Sequence, residues 1–220
     1  DCLVRDVGLR QQPPRDDPGL AAAVEAIEAD LEVARLERDR GDVRKARALV
    51  EPLLNRAKQT GFVPVMARVG FRLGSLDAKL GHHELAIERL ERSVVDGLAS
   101  GSDEAALQSA ILLVYEHGVV QADPSKALHF AQMADALLRR HPSLHRLGAG
   151  LRLNRGLVLE GSGSLDAALE EVRLAVWQFE AQDPAGFATG NALLNRARLE
   201  VMTGSVAEAE TGSAPAAPLT

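Results

Sequence analysis

Two histidines come closest, among the side chains of this sequence, to the spacing of a metal site. His141 and His145 are four residues apart, and this spacing places two imidazoles on one face of a helix. Pro142, however, is typical of the start of a helix, which leaves His141 in the preceding loop. Neither a carboxylate nor a cysteine completes a ligand set, so we expect no metal site.

The glycine-rich segments lack the residues that cofactor and catalytic loops need. Residues 161–164 (Gly-Ser-Gly-Ser) are without the Gly-Lys-Ser/Thr ending of a phosphate-binding loop. Residues 148–150 (Gly-Ala-Gly) follow no predicted strand, so they do not favour a dinucleotide site. A Gly-x-Ser-x-Gly nucleophile elbow is also absent. We therefore expect no catalytic residue, no cofactor and no enzyme activity.

The composition favours helices and is evidence against several kinds of partner. Aromatic residues make up only 3% of the 220 residues, and the supply of β-branched residues for a sheet is thin. A net charge of −6 is evidence against nucleic-acid binding. No apolar run is long enough to insert into a membrane. The single cysteine, Cys2, allows no internal disulfide.

The strongest pattern in the sequence is a repeat of about 41 residues. In five segments a small residue is followed five positions later by alanine. The small residues, at intervals of 40, 41, 41 and 41, are Gly41, Gly81, Ala122, Gly163 and Gly204. The alanines are Ala46, Ala86, Ala127, Ala168 and Ala209. This constant spacing predicts a stack of similar structural units.

Each repeat has the apolar spacing of two helices, with the small residue at the turn between them. The predicted helices are 20–40, 42–59, 64–80, 82–98, 103–121, 125–140, 143–161, 164–181 and 184–203. We therefore expect an all-α, right-handed solenoid of stacked helix-turn-helix repeats. Residues 1–18 are predicted to form a linker, 19–210 four full repeats and a partial fifth, and 211–220 a disordered tail.

The repeats resemble the tetratricopeptide repeat. Leu73-Gly74 lies seven residues before Gly81, as the Leu-Gly of that consensus does, and the Gly-x4-Ala turn has the same register. Residues 154–156 (Asn-Arg-Gly) are similar to the consensus Asn-Leu-Gly. The usual first-helix tyrosine is absent, and the usual period is about 34 residues. HEAT and armadillo arrays also suit a period near 41, but neither requires the Gly-x4-Ala register.

A second resemblance concerns the segment before the first helix. Residues 2–9 and 13–18, followed by long repeats, look like the region after the kinase domain of large bacterial serine/threonine protein kinases. The sequence has no Gly-rich ATP loop, HRD loop or DFG motif. The resemblance therefore implies a non-catalytic sensory or docking fragment. Such a fragment is soluble, and is either cytoplasmic or the extracytoplasmic part of a membrane-tethered kinase.

Tetratricopeptide arrays usually bind peptides along the wall built by their first helices. The resemblance therefore implies a groove for a protein or peptide partner. The residues predicted to line it are Arg68, Arg72, Lys79, Asn154, Asn191, Asn195 and Arg198. The implied function is an interaction scaffold, and the alternative is a regulatory module that senses a ligand or peptide. A further alternative is that the basic residues only pair with Glu28 and Glu32 one repeat earlier.

The incomplete fifth repeat suggests self-association. Its first helix lacks a full second helix, either as a degenerate cap or because the array is cut short. Leu193, Leu199 and Val201 are therefore predicted to be partly exposed. Trp177 and Phe179, in the repeat before it, are predicted to pack in the core or on a helix ridge, rather than to line a cofactor site.

Overall fold

A computed structural model describes Pro13 and residues 17–204, and within these residues there are nine α-helices and no strand. The helices are α1 (Pro18–Asp39), α2 (Val43–Thr60), α3 (Val63–Lys79), α4 (His83–Ser100), α5 (Asp103–Tyr115), α6 (Pro124–Arg140), α7 (Gly148–Gly161), α8 (Leu165–Gln182) and α9 (Phe187–Thr203). The predicted all-α class is confirmed. Most of the predicted linker, Cys2 included, lies outside the described residues, as do Ala209 and the predicted tail.

The chain divides into two compact units between Glu116 and His117. In the first unit each helix packs against the next, from α1 to α5, and α3 also contacts α1 and α5. In the second unit α6 packs against α7, α7 against α8, and α8 against α9. Packing between sequence neighbours is the arrangement of a helical-repeat stack, in which each repeat buries the apolar face of the one beside it.

The repeat register predicted from the sequence is the register of the turns. All five small residues adopt a left-handed backbone conformation, as Gly41 (φ 92°), Gly81 (φ 80°), Ala122 (φ 53°), Gly163 (φ 78°) and Gly204 (φ 73°). The alanines five residues later are at most 1% exposed wherever the structure describes them: Ala46, Ala86, Ala127 and Ala168. A left-handed turn therefore ends each first helix, and a buried methyl group fixes the start of the second.

Ala122 is the one turn residue of the five that carries a Cβ, so Ala122→Gly is expected to stabilise the protein. A left-handed conformation costs an L-residue about 1–2 kcal/mol, and glycine avoids this cost but loses more backbone entropy on folding. We expect a net gain of about 0.5–1 kcal/mol in the free energy of unfolding, measured by urea denaturation. The control is Ala22→Gly on the exposed face of α1, which should cost about 1 kcal/mol. A loss of stability in both variants would contradict the expectation.

Three predicted helix boundaries are wrong. The helix predicted over 103–121 ends as an α-helix at Tyr115 and continues as a π-helical segment, Glu116–Val120. The helix predicted over 143–161 begins with a 3₁₀ segment, Pro142–Leu147, because the Leu144 N–H donates to the His141 carbonyl at 2.9 Å. Such short i→i+3 turns are common at helix starts.

The third wrong boundary is the start of α9. It was predicted at residue 184, but the helix begins at Phe187. Residues 184–186 form a turn instead, in which the Gly186 N–H donates to the Asp183 carbonyl at 3.1 Å. The Thr189 hydroxyl donates to the same carbonyl at 2.6 Å, and this second hydrogen bond holds the turn against the first turn of the helix.

One prediction about an apolar side chain is also wrong. Leu199 is fully buried, in a cluster with Ala168, Val172 and Ala175 of α8, because α8 already covers that face of α9. Trp177, predicted to pack in the core or on a helix ridge, is 47% exposed and lies outside the core. Phe179 packs against the same cluster, as predicted.

The remaining apolar side chains of α9 do reach the surface. Leu193 is partly buried and Val201 is 69% exposed, in agreement with the prediction. Leu194 is 74% exposed and Phe187 is 89% exposed. Phe187, Leu194 and Val201 are seven residues apart, or about two helical turns, so they form one apolar stripe along α9.

A buried carboxylate that the sequence analysis missed joins three helices of the first unit. Asp77 of α3 is fully buried, and its Oδ1 accepts a hydrogen bond from Arg47 Nε of α2 at 2.7 Å. Its Oδ2 accepts from Arg89 Nη1 of α4, and His82 Nδ1 lies 3.5 Å from Oδ1. The hydrogen bond to Asp77 is the largest cause of the raised pKa of Arg47. Two guanidinium groups thus compensate the charge of Asp77 inside the helix stack.

Candidate functional site

The first unit contains a pocket that is lined by first helices of repeats and by the residue that precedes one of them. Its volume is about 80 Å³, well above the roughly 10–15 Å³ that one water molecule requires. The lining residues come from α1, α3 and the start of α5, and none comes from α2 or α4. They are Glu28, Leu31, Glu32, Arg68, Phe71, Arg72, Ser102, Glu104, Ala105 and Gln108. This set includes two of the residues predicted to line a groove, Arg68 and Arg72.

Arg68 is held in place by an ion pair between neighbouring first helices. Its Nε donates to Glu28 Oε1 at 2.5 Å, and its side chain is 16% exposed. This pair was predicted as an alternative to ligand binding, and the pair exists. It does not use the whole guanidinium, because the buried Nη1 has no hydrogen-bond partner among the described residues.

Arg72 lies in the same pocket without an ion pair to any described carboxylate. Burial lowers the pKa of its guanidinium, and repulsion from Arg38 lowers it further, while the charge of Glu32 opposes both effects. Glu32 itself pairs with Arg35, one turn further along α1, at 2.7 Å. An arginine remains charged in proteins. Arg72 is therefore a partly buried cation whose charge is incompletely compensated.

The third basic residue predicted for this surface, Lys79, lies at the end of α3. It is exposed, and it is not among the residues that line the pocket. The successive spacings, four residues from Arg68 to Arg72 and seven from Arg72 to Lys79, predict one common strip for all three. The structure brings only Arg68 and Arg72 into the same pocket, since Lys79 is about two turns further along the helix from Arg72.

The four other predicted residues lie in the second unit, on α7 and α9. Arg198 forms an ion pair with Glu160 of α7 and donates to Asn195 Oδ1 at 2.9 Å. Asn195 Nδ2 in turn donates to the Asn191 carbonyl at 2.9 Å. Asn154 is partly buried on α7. The Asn195 amide and the Arg198 guanidinium thus already have partners within the unit, and the ion pair ties two first helices together.

Three polar residues of the pocket were not predicted from the sequence: Ser102, Glu104 and Gln108. Ser102 precedes α5 and is 3% exposed, but its hydroxyl does not cap the helix and has no described partner. Ser102 belongs to a segment that reads as an ordinary turn with N-cap residues, so its type and position predict a cap. Only the approach of α1 and α3 makes it part of a pocket.

The two histidines considered for a metal site lie apart from any ligand set. His141 follows the end of α6 and His145 lies in the 3₁₀ segment, with its Nδ1 3.1 Å from the Pro142 carbonyl oxygen. Among the described residues, no three histidine, cysteine, aspartate or glutamate side chains are grouped closely enough to hold a metal ion.

Among the helices of the described region, none is both long enough and apolar enough to cross a membrane.

The helix pairs, their left-handed turns and the 40–41-residue period define a tetratricopeptide-like helical-repeat fold. Solved structures support this class. The chain is similar to a kinesin light chain-like protein of Podosopora anserina with nearly identical TPR-like repeats (TM-score 0.60, 18% identity, 86% of this chain and 92% of that chain covered). It is also similar to BtubC (BKLC) from P. vanneervenii (TM-score 0.60, 15% identity, 94% and 97% covered). No protein-family model and no curated protein matches the sequence.

Proposed function

We propose that this protein is a non-catalytic scaffold for protein–protein interaction. The observation that carries the proposal is the pocket formed by α1, α3 and α5 alone. First helices from three consecutive repeats present polar and apolar side chains together there, as sites for peptide segments do. The two similar solved structures support the fold on which the proposal depends. Stacked repeats of this kind expose extended surfaces that can bind partners.

The proposed binding surface is the part of the first helices that holds Arg68, Arg72 and Lys79. Glu28 and Glu32 lie beside this basic group on the neighbouring helix α1, so the surface changes sign from one helix to the next. A surface of this kind orients a partner by its charge pattern and speeds its association. In the second unit we propose a second contact surface. Its residues are Asn154 of α7 and Asn191, Asn195 and Arg198 of α9.

The test is capture of partners from a proteome, followed by affinity measurement with each identified partner. The Arg72→Gln/Lys79→Gln variant removes two charges from the proposed surface and leaves the Arg68–Glu28 pair in place. We expect it to bind at least about tenfold more weakly, with a smaller salt dependence. The matched control is Arg44→Gln/Lys58→Gln, which removes two exposed charges from α2. Equal binding by both variants would exclude this surface as the binding site.

The alternative within this proposal is a regulatory module that senses a small ligand or a peptide. It would use the same pocket, and it differs from a scaffold in its ligand. A metabolite-induced rise in the melting temperature, in the absence of any captured protein, would favour this alternative over the scaffold.

We further propose that the chain belongs to a bacterial serine/threonine kinase signalling protein. This proposal rests on the resemblance of residues 2–9 and 13–18, most of which lie outside the described residues. The neighbouring DNA tests it directly. A kinase reading frame joined upstream would support it, and an upstream frame of unrelated function would exclude it.

Self-association through α9 is a second proposed interaction. The apolar stripe of Phe187, Leu194 and Val201 is the observation that favours it. Burying one leucine or valine contributes about 1.5–3 kcal/mol, so Leu194→Gln/Val201→Gln should weaken association by at least about tenfold. The control is Leu128→Gln, which removes a leucine that is 57% exposed on α6. Sedimentation equilibrium measures the effect, and a parent protein that stays monomeric at high concentration would contradict the proposal.

A further inference from the structure

Helix α9 of the second unit has an exposed apolar face, called the α9 face below. Its residues are Phe187, Leu194, Ala197 and Val201, all of which are exposed. Their spacings of seven, three and four residues are those with which a helix presents one apolar seam to a second helix. Leu199, on the opposite side of α9, packs against α8. α9 therefore has two apolar faces, and α8 covers only one of them.

Helix α1 of the first unit has a second face of this kind, called the α1 face below. Val33 and Leu36 are 49% and 46% exposed, and Ala26 and Ala29 continue the same face at spacings of three and four residues. The core residues of α1, such as Leu31, lie on the opposite side of the helix and pack in one cluster with residues of α2 and α3. Each unit thus contains one helix with an exposed apolar face.

Both edges of the α1 face are acidic, since α1 carries six carboxylates and only two arginines. Glu25 and Glu32 lie along one edge, and Asp30 and Glu37 lie along the other. Asp30 and Glu37 pair with basic residues of α2, and Glu32 pairs with Arg35 of its own helix. Glu25 forms no ion pair with a described residue. Pairing of two α1 helices would bring like charges together, so the α1 face favours a different helix as its neighbour.

The exposed edge of the α9 face has the opposite charge. Arg198 directly follows Ala197, and its side chain is 49% exposed in its ion pair with Glu160 of α7. Glu200, the carboxylate of α9, is only 7% exposed and lies away from the α9 face. The basic edge of α9 therefore fits the acidic edges of α1, whichever direction the two helices run.

The side chains of the two faces also differ in size. The α9 face presents the large side chains of Phe187 and Leu194, whereas Ala26 and Ala29 make up half of the α1 face. Facing helices pack most closely where large side chains enter the spaces beside small ones. Pairing of two α9 helices would instead place large side chains against large ones. Size and charge thus both favour contact between α9 and α1.

We propose that the α9 face of one copy of this chain docks on the α1 face of a second copy. The proposal rests on the self-association proposed above and names the surface that α9 contacts. The second copy covers the side of α9 that α8 leaves exposed, as each repeat of a stack covers the one beside it. Because the two faces in contact are different, each copy in a pair keeps one face for a further copy.

Mixing two variants of the full chain tests this proposal. Ala26→Gln/Val33→Gln changes only the α1 face, and Leu194→Gln/Val201→Gln changes only the α9 face. In sedimentation velocity over a concentration series, we expect the parent to associate and each variant alone to associate at least about tenfold more weakly. An equimolar mixture of the two variants should form a heterodimer and grow no further, because the only intact faces are α9 of the first variant and α1 of the second. Native mass spectrometry identifies the two chains of that dimer.

The control is Leu85→Gln, which removes an exposed leucine of α4 that lies on neither face and should leave association unchanged. If the α1 variant associates as the parent does and only the α9 variant is monomeric, α9 contacts α9 of the second copy. The self-association proposal then holds and the present inference is wrong. Two monomeric variants that form no heterodimer would also overturn the inference, and a monomeric parent would overturn both proposals.

Cross-linking in the otherwise unchanged chain decides the question if either variant unfolds. Phe187 is largely exposed, so p-benzoylphenylalanine at this position should leave the fold intact. The substituted chain is mixed with ¹⁵N-labelled parent and irradiated, and the isotope label identifies cross-links between copies. We expect these cross-links to join position 187 to residues of α1 in the second copy. Cross-links between copies that reach α9 and not α1, or no cross-link to α1 at all, would overturn the inference.

Discussion

Replacing Asp77 by asparagine is expected to lower the free energy of unfolding by about 3–5 kcal/mol. Asp77 is fully buried and accepts from Arg47 and Arg89, each of which is only 19% exposed. An asparagine keeps the size of the side chain but removes the charge. Two partly buried guanidinium groups then lose their common counter-ion, and this loss costs more than the hydrogen bonds themselves.

The control for this variant is Asp39→Asn. Asp39 also pairs with two arginines, Arg35 at 2.8 Å and Arg38 at 2.7 Å, but its side chain is 44% exposed. Solvent screens such a pair, so we expect a loss of about 0–1 kcal/mol. Urea denaturation followed by circular dichroism compares the two variants. Similar losses in free energy of unfolding would show that the ion pairs of Asp77 stabilise the protein no more than the exposed ion pairs of Asp39 do.

The repeat register could be predicted from the sequence because the backbone fixes it locally. A left-handed turn residue and the buried alanine that follows it lie within six residues of each other, so they fix the turn locally. This pair of residues recurs visibly in the sequence, at Gly41, Gly81 and Gly163 among others. Helix boundaries were less predictable. The π-helical end of α5 and the 3₁₀ start of α7 depend on hydrogen bonds that residue types alone do not indicate.

The clusters that join helices could be predicted only where the repeat period relates their members. Glu28 and Arg68 are 40 residues apart, one period, so their pairing was given as an alternative and was confirmed. Arg47 and Asp77 are 30 residues apart, which no feature of the pattern indicates. Ser102 likewise reaches the pocket only through the packing of α5 on α3. Side-chain sites built across helices therefore needed the structure.

Exposure on a single helix was the least predictable property. The spacing of apolar residues on α9 identified an apolar helix but not which of its faces α8 covers. Leu199 was therefore predicted to be exposed and is buried, whereas Leu194 is 74% exposed. Two apolar faces on one helix require two neighbours, and the described part of the chain supplies α8.

Replacing Gly156 by alanine is expected to destabilise the protein by about 1–3 kcal/mol. A Cβ at this position in α7 would lie 2.6 Å from Val172 Cγ2 and 3.1 Å from the Ala168 carbonyl oxygen of α8. Val172 is fully buried and its χ1 rotation is restricted, so it cannot easily move away. This steric cost exceeds the gain of about 1 kcal/mol that alanine brings to a helix interior.

The matched control for Gly156→Ala is Gly190→Ala in α9, where an added Cβ would meet no heavy atom within 4 Å. That variant should gain up to about 1 kcal/mol from helix propensity alone. The double variant Gly156→Ala/Val172→Ala removes the clash. Its loss in free energy of unfolding should therefore be smaller, by about 0.5–3 kcal/mol, than the sum of the losses in Gly156→Ala and Val172→Ala. The Asn-Arg-Gly motif places Gly156 at the contact between α7 and α8, the two helices of one repeat. If the losses in the two single variants simply add up in the double variant, this contact does not require glycine.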